Sequence, residues 1–317
     1  MGGQRSFDET LKSRRDILQS VAAVTAAAVK ASPADSGQCT AAAVAVDEMN
    51  VDDSSNWIWL GNRSLRVGLL ESSGGAIGWL GTPASARNLI NHFDRGRLVQ
   101  QSWYGRTDGS EWNGRSWRWN PVQGGDWKGK SSRIVARRVS ESAAYVKTQP
   151  LHWATGAIVT DAFMEQSLRL SEDMLEIRYG FEYSGADSHP PQHQELPAVF
   201  VDPQLRNLVL AEGSPAWTGA VLQRSRPNWP NEYRVLVEPW AAWVDDSNWG
   251  LGCCVPQIRQ LTCYRFGNAE TDRSACSYFA PIDTLAVTPG FRFSWTVWLT
   301  IGTAEEIRER FRSRLQH

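Results

Sequence analysis

The chain has 317 residues, of which 42% are hydrophobic and 21% charged, and its formal net charge is −1. Those proportions allow a full buried core and exclude a mainly disordered chain. No basic stripe is present that could track a phosphate backbone, which excludes nucleic acid as a partner.

The first element is a leader. Lys12, Ser13, Arg14, Arg15, Asp16, Ile17, Leu18 and Gln19 precede a weakly apolar run from Val21 to Val29, and small residues follow around Ala31 to Ala34. Paired arginines before a short Ala/Val stretch are the order of a twin-arginine (Tat) export signal, too short to remain as a membrane span. Residues 1–34 are therefore expected to be a Tat-like signal peptide that carries the protein to the bacterial periplasm or beyond. Residues 35–55, rich in Ala, Ser and Asp, are expected to be a flexible leader, and residues 56–317 one domain. The mature protein is expected to be a mildly acidic monomer with no stable membrane span.

From Trp57 onward, short alternating runs are punctuated by Gly, Pro, Asn and Asp, the texture of antiparallel strands joined by turns. Strands are expected at Leu65 to Leu70, Ala76 to Leu80, Ile134 to Val139, Ala144 to Lys147, Ala157 to Leu170, Met174 to Tyr183, Tyr233 to Val237, Trp240 to Asp245 and Phe291 to Ile301. Two long alternating runs meet across Ser171, Glu172 and Asp173, which predicts a hairpin. At the end of the chain Thr303 and Glu306 form a capping box, and Ile307, Phe311 and Leu315 follow at helical spacing. The fold class is thus all-β: a large antiparallel β-sandwich with a short C-terminal helix. Cys253, Cys254, Cys263 and Cys276 lack the paired spacing of a zinc cluster, so no metal is expected, and disulfides or free thiols both remain open.

Three blocks could carry chemistry. The segment from Asn88 to Tyr104 concentrates Asn91, Asp94, Arg95, Arg97, Gln100, Gln101 and Tyr104, and Trp103 stands among them. A Pro/Gly-rich loop then places Trp119, Asn120, Gln123 and Asp126 together. The third block, from His189 to Pro203, is a strand that starts after two prolines and carries His193, Gln194, Glu195 and Asp202. Period-two alternation puts His193 and Glu195 on one face and Gln194 on the other, a pattern suited to general acid–base work. The chain also holds 16 tryptophans, and flat indole faces bind the C–H faces of sugars. Packing between two large sheets is the other use for them, but the group from Trp103 to Trp127 reads as a binding surface.

The order of the glycine-rich stretch from Ser64 to Leu80, then the Asp94, Arg95, Gly96, Arg97 block, then the His/Gln/Glu strand resembles the galactose mutarotase-like supersandwich. That resemblance spans roughly residues 57 to 300. It implies a sugar site on the sheet face that carries Arg97, His193 and Glu195, with a histidine acid and a glutamate base as in aldose epimerases. The second histidine motif of those enzymes has only His152 as a counterpart.

These readings converge on an exported enzyme that cleaves an oligo- or polysaccharide without a cofactor. Hydrolysis calls for paired carboxylates, with Asp94, Asp126, Glu195 and Asp202 as candidates. Elimination calls for a base such as Tyr104 or His193 and a group such as Arg97 or Gln101 to neutralise a substrate carboxylate. Acidic candidates outnumber bases, which favours the hydrolase over the lyase. Arg95, Arg97, Gln101, Trp103, Trp119, Asn120, Gln123 and Gln194 are the expected substrate-binding residues. A non-catalytic sugar-binding envelope protein is the alternative.

Overall fold

A computed structural model describes residues 56–316, apart from 214 and 220. The expected signal peptide and leader lie outside the described residues. In chain order the first strands are β1 (Trp57–Gly61), β2 (Arg66–Leu70), β3 (Ala76–Gly81), β4 (Val99–Ser102), β5 (Thr107–Trp112), β6 (Arg115–Arg118) and β7 (Pro121–Val122). Then come β8 (Arg133–Val139), β9 (Ala143–Gln149), β10 (Leu151–His152), β11 (Ala162–Ser171), β12 (Met174–Tyr183), β13 (His189–Val201) and β14 (Asn207–Ala211). The last are β15 (Leu222–Ser225), β16 (Glu232–Val235), β17 (Trp240–Val244), β18 (Trp249–Cys254), β19 (Gln260–Phe266), β20 (Cys276–Val287) and β21 (Arg292–Thr303), followed by helix α1 (Ala304–Gln316).

The strands build two large antiparallel sheets. The first runs β1-β2-β3-β4-β13-β20-β19-β16, with β7 and β10 attached beside β4, and the second runs β15-β14-β17-β18-β21-β12-β11-β9-β8. Strands β5 and β6 form a separate small hairpin. Between the large sheets lies the main core, to which Val67, Ile77, Val99, Trp103, Val199 and Phe279 contribute from the first sheet and Val146, Ile177, Phe181, Trp243 and Val297 from the second. Burying each such side chain contributes about 1.5–3 kcal/mol. The all-β sandwich with one C-terminal helix is therefore the architecture found.

The β11–β12 hairpin shows how directly pattern becomes structure. Buried and open positions alternate along both strands, and the register from Ala162↔Tyr183 to Ser171↔Met174 runs without a break. That register leaves Glu172 and Asp173 as a two-residue turn, with Glu172 at φ 49°. The long strand expected over Ala157 to Leu170 begins only at Ala162, because Ile158 makes a single bridge to Leu151 in the loop before it. Likewise β13 starts at His189 and not after the prolines, with a register shift between His189 and Gln192 absorbing Pro190 and Pro191.

Helix α1 closes the outer face of the second sheet. Thr303 N–H donates to Glu306 Oε2 at 2.8 Å and Glu306 N–H to Thr303 Oγ1 at 3.3 Å, which is the capping box read from the sequence. Ala304, Ile307 and Phe311 pack on Val209, Trp240, Ala242, Cys254 and Trp298, and Leu315 joins them at the rim. The helix comes so close that a Cβ at Gly252 would lie 2.3 Å from Ile307 Cγ2. The four cysteines of the C-terminal half are free and buried.

Replacing Gly252 by Ala is expected to destabilise the fold by about 1–3 kcal/mol through overpacking under α1. Urea unfolding checks this: the midpoint falls while the slope stays constant, whereas an unchanged midpoint would mean that α1 does not rest on β18.

Candidate active site

On the outer face of the first sheet the core gives way to a polar network. Its centre is Glu195 of β13, which lies opposite Ser102 of β4 on one side and Ile282 of β20 on the other. Between Glu195 and Ala198 the β4 register advances by only two residues, so a bulge sits there. The extra residue resets the alternation. It lets Glu195 share its face with Ala198 and Phe200, which pack against Tyr264, Tyr278 and Ile282.

The Glu195 side chain is only 6% exposed. Tyr104 donates its phenol to Glu195 Oε2 at 3.0 Å, and Tyr278 donates its phenol to Oε1. The Ser102 hydroxyl also reaches the carboxylate, so its one proton is shared between Glu195 and Tyr104. The Ser102 hydroxyl donates to the Tyr104 phenol oxygen at 3.0 Å, and Asn120 Nδ2 donates to Ser102 Oγ at 3.2 Å and to the Trp103 carbonyl at 2.8 Å. Burial pushes the Glu195 carboxyl up from 4.5 to about 7, and its hydrogen bonds to Tyr278, Tyr104 and Ser102 hold it from going higher. Burial and the neighbouring carboxyl hold both phenols well above their ordinary range, so Tyr104 and Tyr278 stay protonated.

Gln194 points the other way and performs a structural task. Its Oε1 accepts from Tyr104 N–H at 2.7 Å and its Nε2 donates to the Tyr104 carbonyl at 2.9 Å. The amide thus replaces ladder bonds where the chain leaves β4, and it fixes the backbone that carries the Tyr104 phenol. His193 shares the Glu195 face, half-exposed, with its ring 5.9 Å from that of Tyr233 and its Nδ1 without a hydrogen-bond partner among the described residues. Burial lowers its pKa, with Asp283 opposing. Arg118 donates to Gln192 Oε1 at 3.1 Å and acts electrostatically on Tyr104. Beyond Tyr278 an aromatic floor continues through Tyr264 to the half-buried Trp229, whose ring centroid is 4.9 Å from that of Tyr264.

Several sequence candidates are placed elsewhere. Trp103 is fully buried between the sheets and stacks on Phe181 at 4.1 Å, so it fills the core and offers no face to a sugar. Gln101 also points inward, donating to the Glu165 and Gly180 carbonyls of the second sheet at 2.8 and 3.1 Å. Gln123 accepts from Gln101 N–H and donates to the Gly74 carbonyl. Arg95 ties the loop to Ser72, Ser73 and the Gly129 carbonyl. Asp126 accepts from the backbone N–H groups of Lys128 and Lys130 at 3.0 and 2.7 Å, as a loop-bracing residue does. Asp94 accepts from Gly96 N–H and pairs with Arg97 Nε at 3.3 Å, while Arg97, 4% exposed, reaches the Ser274 carbonyl. Trp112 and Trp117 pack on each other, and Trp112 also on Trp153, while Trp119 stacks on His189 at 4.1 Å. His152 Nδ1 accepts from Ala154 and Thr155 N–H, so Nε2 carries the proton given to Asp108 at 2.8 Å. Of the candidates, Tyr104, Glu195 and Asn120 converge in the network, with His193 beside it and Gln194 behind. Ser102, Arg118, Trp229 and Tyr278 are additions from the structure. Among the described residues no group of three His, Cys, Asp or Glu side chains could hold a metal ion, and no helix is long and apolar enough to cross a membrane.

No family model matches the chain, and no curated protein matches it by sequence. Solved structures do resemble it. A putative aldose 1-epimerase from Escherichia coli K12 aligns with 78% of this chain and 99% of its own, at 13% identity and a TM-score of 0.52. A galactose mutarotase-like protein from Lactobacillus casei aligns with 77% of this chain and 99% of its own, at 10% identity and a TM-score of 0.50. A galactose mutarotase related enzyme from Lactobacillus acidophilus aligns with 77% and 97%, at 9% identity and a TM-score of 0.50. The chain thus shares its fold with these aldose-epimerase and mutarotase-like structures, as the sequence layout led one to expect.

The raised Glu195 pKa has a consequence for stability. Its folded-state value lies above its unfolded one, so the stability it contributes is complete below about pH 4.5 and is lost as pH rises through about 7. The full change is about 3 kcal/mol. Glu195→Gln is expected to remove that slope, so urea unfolding of the two proteins between these pH values should diverge; parallel curves would place the carboxyl in water.

Proposed function

We propose that this protein is an exported carbohydrate-active enzyme in which Glu195 moves a proton at a sugar lying on the outer face of the first sheet. The observation that carries the reading is the buried Glu195 carboxyl, poised at about 7 between two protonated phenols. A carboxyl that changes charge near neutral pH is suited to general acid–base catalysis. The surroundings support a sugar as the substrate: the half-buried Trp229 and Tyr233 supply aromatic rings, and the half-buried Arg118 and His193 supply polar groups. The names of the similar structures, an aldose epimerase and mutarotase-like proteins, belong to the same substrate class.

The network holds one carboxylate. Hydrolysis needs a second at about 5 Å, or at roughly 6.5–9.5 Å with a water between. Asp94, Asp126 and Asp202, the other carboxylate candidates, are bound to Arg97 and to loop backbone. A reaction served by one carboxylate is therefore favoured, and elimination from a uronic-acid glycan moves ahead of hydrolysis. In that reaction Glu195 takes the proton from the carbon beside the sugar carboxylate as the C–O bond to the leaving sugar breaks. Tyr104 protonates the leaving oxygen and recovers its proton from Glu195 through their hydrogen bond, so no proton is gained or lost. Arg118 faces the substrate carboxylate. A second reading, exchange of the anomeric centre of a free aldose, is favoured by His193 and Glu195 sharing one face. Export rests on the Arg14 and Arg15 motif.

The purified protein is to be assayed on neutral and uronic-acid polysaccharides for new reducing ends and for the ultraviolet absorbance of an unsaturated product, and on free aldoses by polarimetry. Elimination predicts ends together with absorbance, and a fall of about 10²–10⁴-fold in kcat for Glu195→Gln. Ends without absorbance would restore the hydrolase, and optical change on free sugars alone would select anomeric exchange. Sugar binding that quenches tryptophan fluorescence with no turnover would leave a binding protein.

A further inference from the structure

A second cluster of chemistry lies on the opposite side of the first sheet. Arg265 of β19 stands directly opposite Ser277 of β20, and Ser277 is opposite Val201 at the end of β13. Residues opposed in this way share a face, and Val201 belongs to the main core, so Arg265 and Ser277 point to the inner side, at one end of the sandwich. Ser277 is fully buried, and its Oγ has no hydrogen-bond partner among the described residues. The same holds for the buried Arg265 Nε. Two donors side by side without an acceptor are costly in a folded protein unless something binds there.

The charges around them have one sign in excess. After Val201 the chain crosses to the second sheet through residues 202–206, and Arg206 closes that connection. Arg226 follows β15. Arg226 Nη2 lies 3.0 Å and Arg206 Nη1 3.9 Å from the carboxylate of Asp246, which they share and which is itself exposed. Asp245 beside it is taken by Arg87 at 2.8 Å and by the N–H groups of Ser247 and Trp249. Burial and then the charges of Arg206 and Arg226 lower the Arg265 pKa. Two guanidiniums thus share one solvent-facing carboxylate, and the third, Arg265, feels the charges of all three groups.

We propose that this inner end of the sandwich is a binding site for a small oxyanion, a phosphate, sulfate or carboxylate group, held by Arg265 and Ser277 with Arg206 and Arg226 at its rim. A guanidinium fork and a hydroxyl match such oxygens in geometry and charge. The site is separate from Glu195, which faces the other side of the same sheet. A bound anion bridges the end of β19 and β20 to the β13–β14 connection and so clamps the two sheets where the chain passes between them.

Thermal unfolding of the full chain tests this in millimolar phosphate, sulfate or glucuronate, each against sodium chloride at equal ionic strength, with glucose as the neutral control. Binding to the folded state predicts a rise in Tm that grows with the logarithm of anion concentration. A response to phosphate and sulfate alone identifies a free inorganic anion, and a response to glucuronate but not glucose identifies the acidic group of a sugar. Because phosphate and sulfate also stabilise proteins by exclusion, the decisive comparison is with variants. Arg265→Gln is expected to abolish the increment. Ser277→Ala, which removes an unpartnered hydroxyl, is expected to keep the Tm in chloride while weakening anion binding at least about fivefold. Equal anion increments in the wild type and in both variants, or none in the wild type, would overturn the proposal.

Discussion

A carboxyl group withdrawn from water must keep its proton or find donors, and Glu195 is placed so that it does both. The outer face of the first sheet is organised around that requirement. Ser102 and Tyr104 approach from the β4 side and Tyr278 from β20, so that neighbouring segments are joined through one side chain. Asn120 anchors Ser102, and Gln194 anchors Tyr104. None of these groups could relax without leaving a buried polar atom unpaired, which is why the network can hold a protonation state as well as a shape.

The two faces of the first sheet divide the labour. Inward side chains of β4 and β13 join an apolar core and stitch the sheets together, as Trp103 does by stacking on Phe181 and Gln101 by bonding the Glu165 and Gly180 carbonyls. Outward side chains of the same strands carry the acid–base groups. Many of the tryptophans therefore serve packing: Trp103 and Trp243 lie in the core, and Trp240 lies beneath α1. Trp229, half-buried at the edge of the aromatic floor beside Tyr264, is not enclosed in this way.

How much could be read from the sequence follows from the same alternation. The β11–β12 hairpin and the capping box were legible because local pattern and tertiary role agree there. Glu195 with His193 was legible from period two. Applied to residues 100–104, the same period separates Ser102 and Tyr104 from Gln101 and Trp103, whereas density of polar residues alone had grouped them. Asp94 and Asp126 were indistinguishable from catalytic acids because a turn-bracing aspartate and a catalytic one have the same local composition; only their backbone partners tell them apart. Tyr278 was hidden in a run, Cys276 to Ile282, that is buried throughout and so shows no alternation. The bulge after Glu195 was beyond any periodic reading, since it consists in a break of period.

That bulge also relates the two polar clusters. On β13, Phe200 faces outward against Tyr278 while its neighbour Val201 faces inward opposite Ser277. On β20, Ser277 and Tyr278 are likewise consecutive and point to opposite sides. Had β13 run without the extra residue, Glu195 and Phe200 would stand on opposite faces, and the carboxyl would enter the core, away from Tyr104 and Tyr278. The chain instead places Glu195 among donors on one side and keeps Val201 in the core on the other. A single added residue thus reconciles a buried titratable carboxyl with a sandwich whose stability depends on an apolar interior.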